Sequence, residues 1–223
     1  MNMNARFLSF TFLVPVTLLL FACATTQTDC EKDRSKGYGY IQKKDYENAF
    51  KSYKNASECG DAIAQFNLAT LYHEGLGTKQ DSVQALEWYT KAFMQGDIDA
   101  ANNLGALYEE GKGIKQDYKK AVDFYRQAAE KGNPESQSNL GDLYYYGLGI
   151  EKNHVQAAFW FTESAKQGLA RAQFRIGYMY EQGFGVKKDT DAAWAWYEKA
   201  AGQGDPNAMQ RLRRRQKLKA ADK

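Results

Sequence analysis

The sequence predicts an all-α protein, a right-handed α-solenoid of stacked helix–loop–helix repeats with about 11 helices. The first observation is that glycine recurs at Gly60, Gly96, Gly132, Gly168 and Gly204, always at an interval of 36 residues. The second is that each interval holds two stretches of helical apolar periodicity, separated by a Gly-x-Gly pair. The third is a globular composition, 43% hydrophobic and 26% charged. A fixed period of this length is typical of arrays in which each unit packs only against its neighbours.

The first helix of each unit is predicted from four residue positions that repeat. The units span residues 61–96, 97–132, 133–168 and 169–204. The fourth residue is small, the eighth is aliphatic, the ninth is small and the twelfth is tyrosine, and these spacings place them on one helical face. The residues are Ala64, Leu68, Ala69 and Tyr72; Ala100, Leu104, Gly105 and Tyr108; Ser136, Leu140, Gly141 and Tyr144; and Ala172, Ile176, Gly177 and Tyr180.

A Gly-x-Gly pair and a capping residue separate the two helices of every unit. Glycine tolerates the positive φ angle of a tight helix exit. The residues expected to cap the second helix are Asp81, Asp117, Asn153 and Asp189. Each second helix then carries an alanine and an aromatic pair, which are Ala85 with Trp88-Tyr89, Ala121 with Phe124-Tyr125, Ala157 with Trp160-Phe161 and Ala193 with Trp196-Tyr197.

The complete motif resembles the Sel-one-like repeat (SLR), a relative of the tetratricopeptide repeat. It reads small-x3-Leu-Gly-x-Leu-Tyr-x2-Gly-x-Gly-[Ile/Val]-x2-Asp-x3-Ala-x2-[Trp/Phe]-Tyr-x2-Ala-Ala-x2-Gly and runs through residues 61–204. Four copies in one register make the resemblance specific. It implies a superhelix that binds other proteins.

The flanks of the array are predicted to be caps. Residues 30–60 form a helical hairpin without the Gly-x-Gly loop, closer to a tetratricopeptide unit, with its first helix over about 30–41. Residues 205–223 begin another first helix, which then turns basic at Arg213 and Arg215 and ends the stack.

The beginning of the chain has the features of an export signal. Arg6 precedes an apolar stretch over residues 7–21, which is shorter than the roughly 20 residues of a spanning helix. We therefore assign residues 1–22 to a signal peptide and 23–29 to a tether.

Residues 20–23, Leu-Phe-Ala-Cys, resemble the bacterial lipobox, in which the cysteine is acylated. The resemblance implies a lipid on Cys23 and a lipid-anchored protein, and Ala24 after the cysteine favours the outer membrane facing the periplasm. The alternative is cleavage after Ala24, which would leave a soluble periplasmic or secreted chain.

The remaining cysteines, Cys30 and Cys59, lie near the two ends of the predicted N-terminal hairpin. The ends of an antiparallel hairpin are neighbours, and an even pair in an exported protein favours a disulfide. Two unpaired thiols are the alternative.

No catalytic, metal or cofactor site is predicted. The two histidines, His73 and His154, occupy different repeat positions, and we expect both on the surface. Cysteine-rich SLR relatives have been linked to β-lactam binding and hydrolysis. This chain has no Ser-x-x-Lys, no Lys-Thr-Gly and no cysteine pair in each unit. We therefore predict that it is not an enzyme.

The candidate binding site is a stripe of first-helix residues that vary between units. Residues required for packing are the same type in every unit, so the positions that vary between units are those that packing leaves free to contact a partner. In related tetratricopeptide arrays such positions line a concave groove for peptides, and an ordinary exposed face is the alternative. The predicted partner-binding residues are Phe66, Thr70, His73, Asp99, Asn102, Glu109, Glu135, Ser138, Asp142, Tyr145, Arg171, Phe174 and Tyr178.

The predicted function is a monomeric, non-catalytic adaptor of the bacterial cell envelope that binds another envelope protein or a peptide. The alternatives are a cell-wall-binding or β-lactamase-like protein and a secreted factor that binds host proteins. Residues 211–223 carry seven basic residues and one acid. Three interpretations of this tail are open: a solvated helix, a contact for anionic lipid or cell-wall polymer, or a contact for an acidic protein. Nucleic acid is not expected as a partner of an exported chain.

Overall fold

The computed structural model describes the backbone of residues 16–221 and the side chains of residues 28–217. Eleven α-helices make up this part, and no strand occurs in it. The predicted all-helical solenoid is thereby confirmed. The helices are α1 (Val16–Gln42), α2 (Tyr46–Glu58), α3 (Ala62–Glu74), α4 (Ser82–Met94), α5 (Ile98–Glu110), α6 (Tyr118–Glu130), α7 (Pro134–Tyr146), α8 (His154–Lys166), α9 (Ala170–Gln182), α10 (Thr190–Gly202) and α11 (Pro206–Ala221).

The helices stack in chain order. Each packs against the helix before it and the helix after it. The core follows the same order, because every second helix buries one aromatic ring almost completely. These rings are Tyr53, Tyr89, Tyr125, Phe161 and Tyr197. Each unit therefore buries its apolar face only against its neighbours, as expected for a solenoid.

The small residue at the ninth position of each unit makes room for this ring. A Cβ atom on Gly105 would lie 2.6 Å from the ring of Tyr125, and one on Gly141 would lie 2.8 Å from the ring of Phe161. The rings therefore pack directly on the backbone of the first helix. Such close packing explains why a small residue recurs there.

The predicted capping residues are confirmed at the second helices. The Asp117 carboxylate accepts a hydrogen bond from the backbone N–H of Lys120 at 3.1 Å, and the Asn153 side chain caps α8 in the same way. The first helices end in a left-handed glycine; Gly111, with φ of 67°, donates its N–H to the carbonyl of Leu107. These contacts satisfy backbone groups that a helix end would leave unpaired.

The second glycine of each Gly-x-Gly pair lies against the preceding unit. A Cβ atom on Gly149 would clash with the carbonyl carbon of Tyr118 at the start of α6. One on Gly185 would meet the backbone of His154 at the start of α8. The pair thus combines a helix exit with a close contact between units.

The first helix is longer than predicted. We expected it over about 30–41, but α1 begins at Val16 and ends at Gln42. No glycine or proline occurs between residues 16 and 36 to interrupt it. The helix therefore runs through the predicted tether, whereas most of the predicted signal peptide and the side chain of Cys23 lie outside the described residues.

Cys30 and Cys59 form a disulfide in the structure, with their Cα atoms 6.2 Å apart. Cys30 lies within α1 and is buried, while Cys59 follows the last residue of α2. The bond therefore joins the two helices of the N-terminal hairpin.

Among the described helices, none is both long and apolar enough to cross a bilayer.

Candidate protein-interaction surface

The first helices α3, α5, α7 and α9 form one surface, which we call the first-helix face. Polar side chains connect neighbouring members of it. Asn133 donates to the carboxylate of Asp99 at 2.9 Å, and the Ser136 hydroxyl lies 2.8 Å from the amide oxygen of Asn102. Asn139 also donates to that oxygen, at 3.3 Å. These contacts join the predicted residues Asp99 and Asn102 of unit two to polar residues of unit three that were not predicted to belong to the site.

Asp142 is a largely enclosed acid of the first-helix face. Its carboxylate lies 3.0 Å from the guanidinium of Arg175 and 4.0 Å from that of Arg171, and its side chain is only 16% exposed. Burial raises the pKa of the Asp142 carboxyl, although both arginines act in the opposite direction. Arg171 also donates to Asn139 at 2.5 Å. This network joins α7 to α9 and neutralises one of the predicted acidic residues.

An open groove of about 530 Å³ lies between α5, α7 and α9. Ala106 lies in its wall, and the carboxylates of Glu109 and Glu110 lie on the unit-two side. Arg171 lies on the unit-four side and is exposed. The groove is therefore acidic at one edge and basic at the other, and its walls belong to three consecutive units.

Some of the predicted residues hold the buried tyrosines through hydrogen bonds. The Tyr125 hydroxyl donates to Glu109 at 2.8 Å, and the Tyr89 hydroxyl lies 3.0 Å from that of Thr70. Burial raises the pKa of Tyr89 to about 12. Burial also raises the pKa of Tyr125, and the negative charge of Glu109 adds to this effect. Thr70 and Glu109 thus support the core beneath the face as well as lining the face.

The two ends of the first-helix face are aromatic. Phe66 packs against Tyr89 with ring centroids 5.6 Å apart, and Phe174 packs against Tyr197 at 5.5 Å. Ile63, beside Phe66, is 54% exposed. The face therefore offers apolar surface at both ends of an acidic middle.

The predicted residues differ in accessibility. Asp99, Glu135 and Arg171 are exposed; Phe66, Thr70, His73, Asn102, Glu109, Asp142, Tyr145, Phe174 and Tyr178 are half-buried. Ser138 is fully buried, so its place in the predicted site is wrong. The reason is that a serine side chain is too short to reach the surface at a repeat position where the larger Phe66, Asn102 and Phe174 are only half-buried.

His154 also differs from its prediction. We expected a surface residue, but its ring stacks on Tyr145 at 5.1 Å and contacts Phe184 at 5.0 Å, with Nε2 buried. Phe184 lies in the Gly-x-Gly loop of the next unit, which reaches back over the start of α8. The histidine is therefore part of the packing between units three and four.

The sequence reasoning missed Asn139 and Arg175, which complete the network around Asp142. Asparagine recurs at the same repeat position as Asn67 and Asn103, so it resembled a packing residue. Only the change to Arg175 in unit four signalled a different role.

Among the described side chains, no group of three or more histidine, cysteine or acidic residues has the geometry of a metal site.

The Sel1 repeat family model matches five adjacent segments, which are residues 29–61, 62–97, 98–133, 134–169 and 170–205. The chain belongs to the Sel1 repeat family. The Sel1 repeat is the Sel-one-like repeat that the motif resembled. The first match covers the N-terminal hairpin, so the array has five Sel1 repeats rather than four and a tetratricopeptide-like cap. Sel1 repeat proteins are in general scaffolds that mediate contacts between proteins.

Solved structures of bacterial Sel1 repeat proteins share the fold. A Sel1 repeat protein from Oxalobacter formigenes is 34% identical, with a TM-score of 0.77, over 90% of this chain and 80% of that chain. The protective antigen c5321 of uropathogenic Escherichia coli, which displays an SLR fold, is 34% identical with a TM-score of 0.74. That match covers 80% of this chain but 39% of the antigen, so this chain spans less than half of its length.

The immunity protein Pa5087 from Pseudomonas aeruginosa is 26% identical to this chain, with a TM-score of 0.52. The match covers 78% of this chain and 68% of the immunity protein. A comparison with curated proteins gave no significant match.

Proposed function

We propose that this Sel1 repeat protein is a non-catalytic scaffold of the bacterial envelope that binds a segment of another protein along its first-helix face. The observation that carries the proposal is the open groove between α5, α7 and α9. Its walls come from three consecutive units, so an elongated segment crossing the units would contact all of them. Solenoids commonly use such extended surfaces for binding.

The charges of the unit-two and unit-three part of this surface favour a basic segment. Asp142 is neutralised by Arg171 and Arg175, but Asp99 and Glu135 are exposed and have no basic partner within salt-bridge distance in the described part. Opposite charge across an interface raises the association rate and favours the correct register. Phe66 and Phe174 lie beyond this acidic middle and suit apolar side chains at the ends of the segment.

The envelope location is supported by the N-terminal sequence. A short apolar stretch followed by Ala22 and Cys23 is typical of an exported lipoprotein. The related solved structures come from bacteria, and two are described as a protective antigen and an immunity protein. Several acyl chains on Cys23 would anchor the chain stably.

The location is tested by intact mass spectrometry of the mature protein from its native membranes. We expect a chain that begins at Cys23 and carries acyl chains. An unmodified chain that begins at Thr25 would rule out the anchor.

Photo-crosslinking in native envelopes tests the interaction surface. A photoreactive amino acid at Ala106, within the groove, is expected to capture a discrete protein partner. The same amino acid at Phe159, an exposed residue of α8 outside the groove, is the control.

A charge-reversal pair tests whether the acidic residues select the partner. Asp99→Lys with Glu135→Lys is expected to abolish the crosslink at Ala106. Glu130→Lys with Glu151→Lys makes the same change in net charge at exposed positions outside the first helices and should leave the crosslink intact. Equal crosslinking by both pairs, or equal capture from Ala106 and Phe159, would contradict the proposal.

A further inference from the structure

The C-terminal helix α11 uses its arginines in two different ways. Arg211 lies 3.0 Å from the carboxylate of Glu181 and above the ring of Tyr178. Arg215, one turn later, lies 3.5 Å from Glu198 and 4.6 Å from the ring centroid of Trp194. Trp194 is the tryptophan that does not recur in the other units, and this contact explains its presence. These two arginines attach α11 to the last complete unit.

Three other basic side chains of α11 have no such partners among the described residues. Arg213, Arg214 and Lys217 are exposed, and none takes part in an ion pair within the described part of the chain. Together with Gln210 and the ion-paired Arg211 they line an open groove of about 430 Å³. Their spacing places them on one side of the helix. We call Gln210, Arg213, Arg214 and Lys217 the basic end face.

The position of the basic end face leaves it accessible to a large partner. Helix α11 is the last described helix, and no further helix of the described part packs over it. Met209 at its edge is 37% exposed, whereas Leu212 packs against the core of the last unit. A basic surface next to an exposed apolar side chain is found on helices that lie on membranes.

We propose that the basic end face binds the phosphate headgroups of anionic phospholipids at a membrane surface. Guanidinium groups bind phosphate oxygens through paired hydrogen bonds, and adjacent basic side chains are attracted to the negative potential of such a surface. Met209 can enter the interface between headgroups and acyl chains. The predicted export and anchoring of the chain place it beside membranes that carry these lipids. This site lies at the end of the array and is separate from the proposed protein-binding groove.

Vesicle sedimentation tests this proposal. The chain is produced from Ala24 onward, so that neither the signal nor acyl groups can insert, and all core residues of the described part are retained because they begin at Cys30. We expect it to bind vesicles of phosphatidylcholine mixed with phosphatidylglycerol and to dissociate from them as the salt concentration is raised. We expect no binding to vesicles of pure phosphatidylcholine.

The decisive variant replaces the three unpaired basic residues, Arg213→Gln with Arg214→Gln and Lys217→Gln. We expect its partition onto the mixed vesicles to fall about 100-fold. The matched control is Lys79→Gln with Lys115→Gln and Lys187→Gln, because these lysines are exposed in the loops of three different units. It loses the same charge and should retain binding within about twofold. Circular dichroism melting checks that both variants remain folded.

Three outcomes would overturn the proposal. Binding to pure phosphatidylcholine at the same level would show that the headgroup charge is irrelevant. An equal loss in the control would show that only net charge matters. Salt-sensitive self-association without vesicles, removed by the basic-end-face variant and unaccompanied by any preference for phosphatidylglycerol, would show that this face joins copies of the chain instead.

Discussion

Units two and three have nearly the same apolar core but different polar contacts. In unit three, Gln167 donates to the side chain of Gln137 at 2.8 Å and to the carbonyl of Gly132 at 2.9 Å. Gln137 is buried and donates to the carbonyl of Ala129 in the preceding helix. This arrangement, which we call the glutamine clamp, connects α6, α7 and α8. Units one and four contain it as Gln65 with Gln95 and Gln173 with Gln203.

Unit two has no glutamine clamp, because Ala101 and Lys131 occupy the two equivalent positions. Both positions changed together, which is expected because one glutamine alone would leave a buried amide without its partner. Unit two also contacts unit three on the first-helix face, through Asn102 with Ser136 and Asn139, at the same boundary that the unit-three clamp connects. The apolar core is therefore common to the units, whereas the polar bonds differ from one unit boundary to the next.

The N-terminal hairpin provides a third arrangement. Cys59 lies at the position of Gln95, Gln167 and Gln203 in the later units. A covalent bond to Cys30 therefore replaces the clamp at the end of the array, where no preceding helix pair is present in the described part. Terminal repeats lack a neighbour on one side, so additional stabilisation there is expected.

The largest expected effect compares the boundary between units two and three with the boundary between units one and two, through the second glycine of each Gly-x-Gly pair. Gly149→Ala places a methyl group against the backbone of Tyr118 at a φ of 68°, so we expect a loss of about 3 to 4 kcal/mol in the free energy of unfolding. Gly113→Ala meets only the Ser82 side chain, 3.1 Å away, and should cost about 1 kcal/mol. Urea unfolding monitored by circular dichroism measures both. Equal losses would contradict the difference in packing.

The next effect concerns the disulfide between Cys30 and Cys59, which takes the place of the glutamine clamp in the N-terminal hairpin. Cys30→Ser with Cys59→Ser is expected to lower the free energy of unfolding by about 3 kcal/mol, because the bond closes a loop with a sequence separation of 29. Reduction of the unchanged protein should produce the same loss, and neither treatment should alter unit four. Hydrogen exchange measured by mass spectrometry resolves the two regions. Equal deprotection of both ends would argue against a local role for the disulfide.

A smaller effect is expected when unit three is made to resemble unit two. Gln137→Ala removes the bonds to Ala129 and Gln167, and we expect a loss of about 1 to 2 kcal/mol. The exposed Gln127→Ala on α6 is the control and should change the stability by less than about 0.5 kcal/mol. Urea unfolding of the two variants decides the matter. A loss no greater than that of the control would show that the clamp is energetically neutral.

The smallest effect is the reverse change, in which unit two receives a clamp. Ala101→Gln with Lys131→Gln is expected to raise the stability by about 0.5 to 1 kcal/mol and to slow hydrogen exchange in α5 and α6. Either single substitution should not stabilise, because a lone glutamine has no partner. Stabilisation by Ala101→Gln alone would show that the contact of the two amides is unimportant.

The fold was predictable because its signals are local and repeated. Asp117 and Asn153 precede helices whose first N–H groups they cap, and these bonds depend on only a few neighbouring residues. The length of α1 was less predictable. Glycine and proline are absent through most of it, but the expectation of a signal and a tether suggested a later start than Val16.

The candidate site was predictable only in part. Variable positions led to Glu109, Asp142 and Arg171, which the structure places around one groove. Ser138 varies as well but is buried. Variation shows that packing does not require one residue type, whereas accessibility depends on whether the side chain is long enough to reach the surface.

The sequence alone determined the helical units, their order and the residues that must pack, because a period of 36 residues repeats the same local requirements in every unit. Only the tertiary structure decided which variable residues meet one another. Arg175 of unit four pairs with Asp142 of unit three. His154 packs against Phe184, and Arg215 lies over Trp194. These contacts join side chains from different elements, and their distances depend on how the units stack rather than on any spacing within one helix.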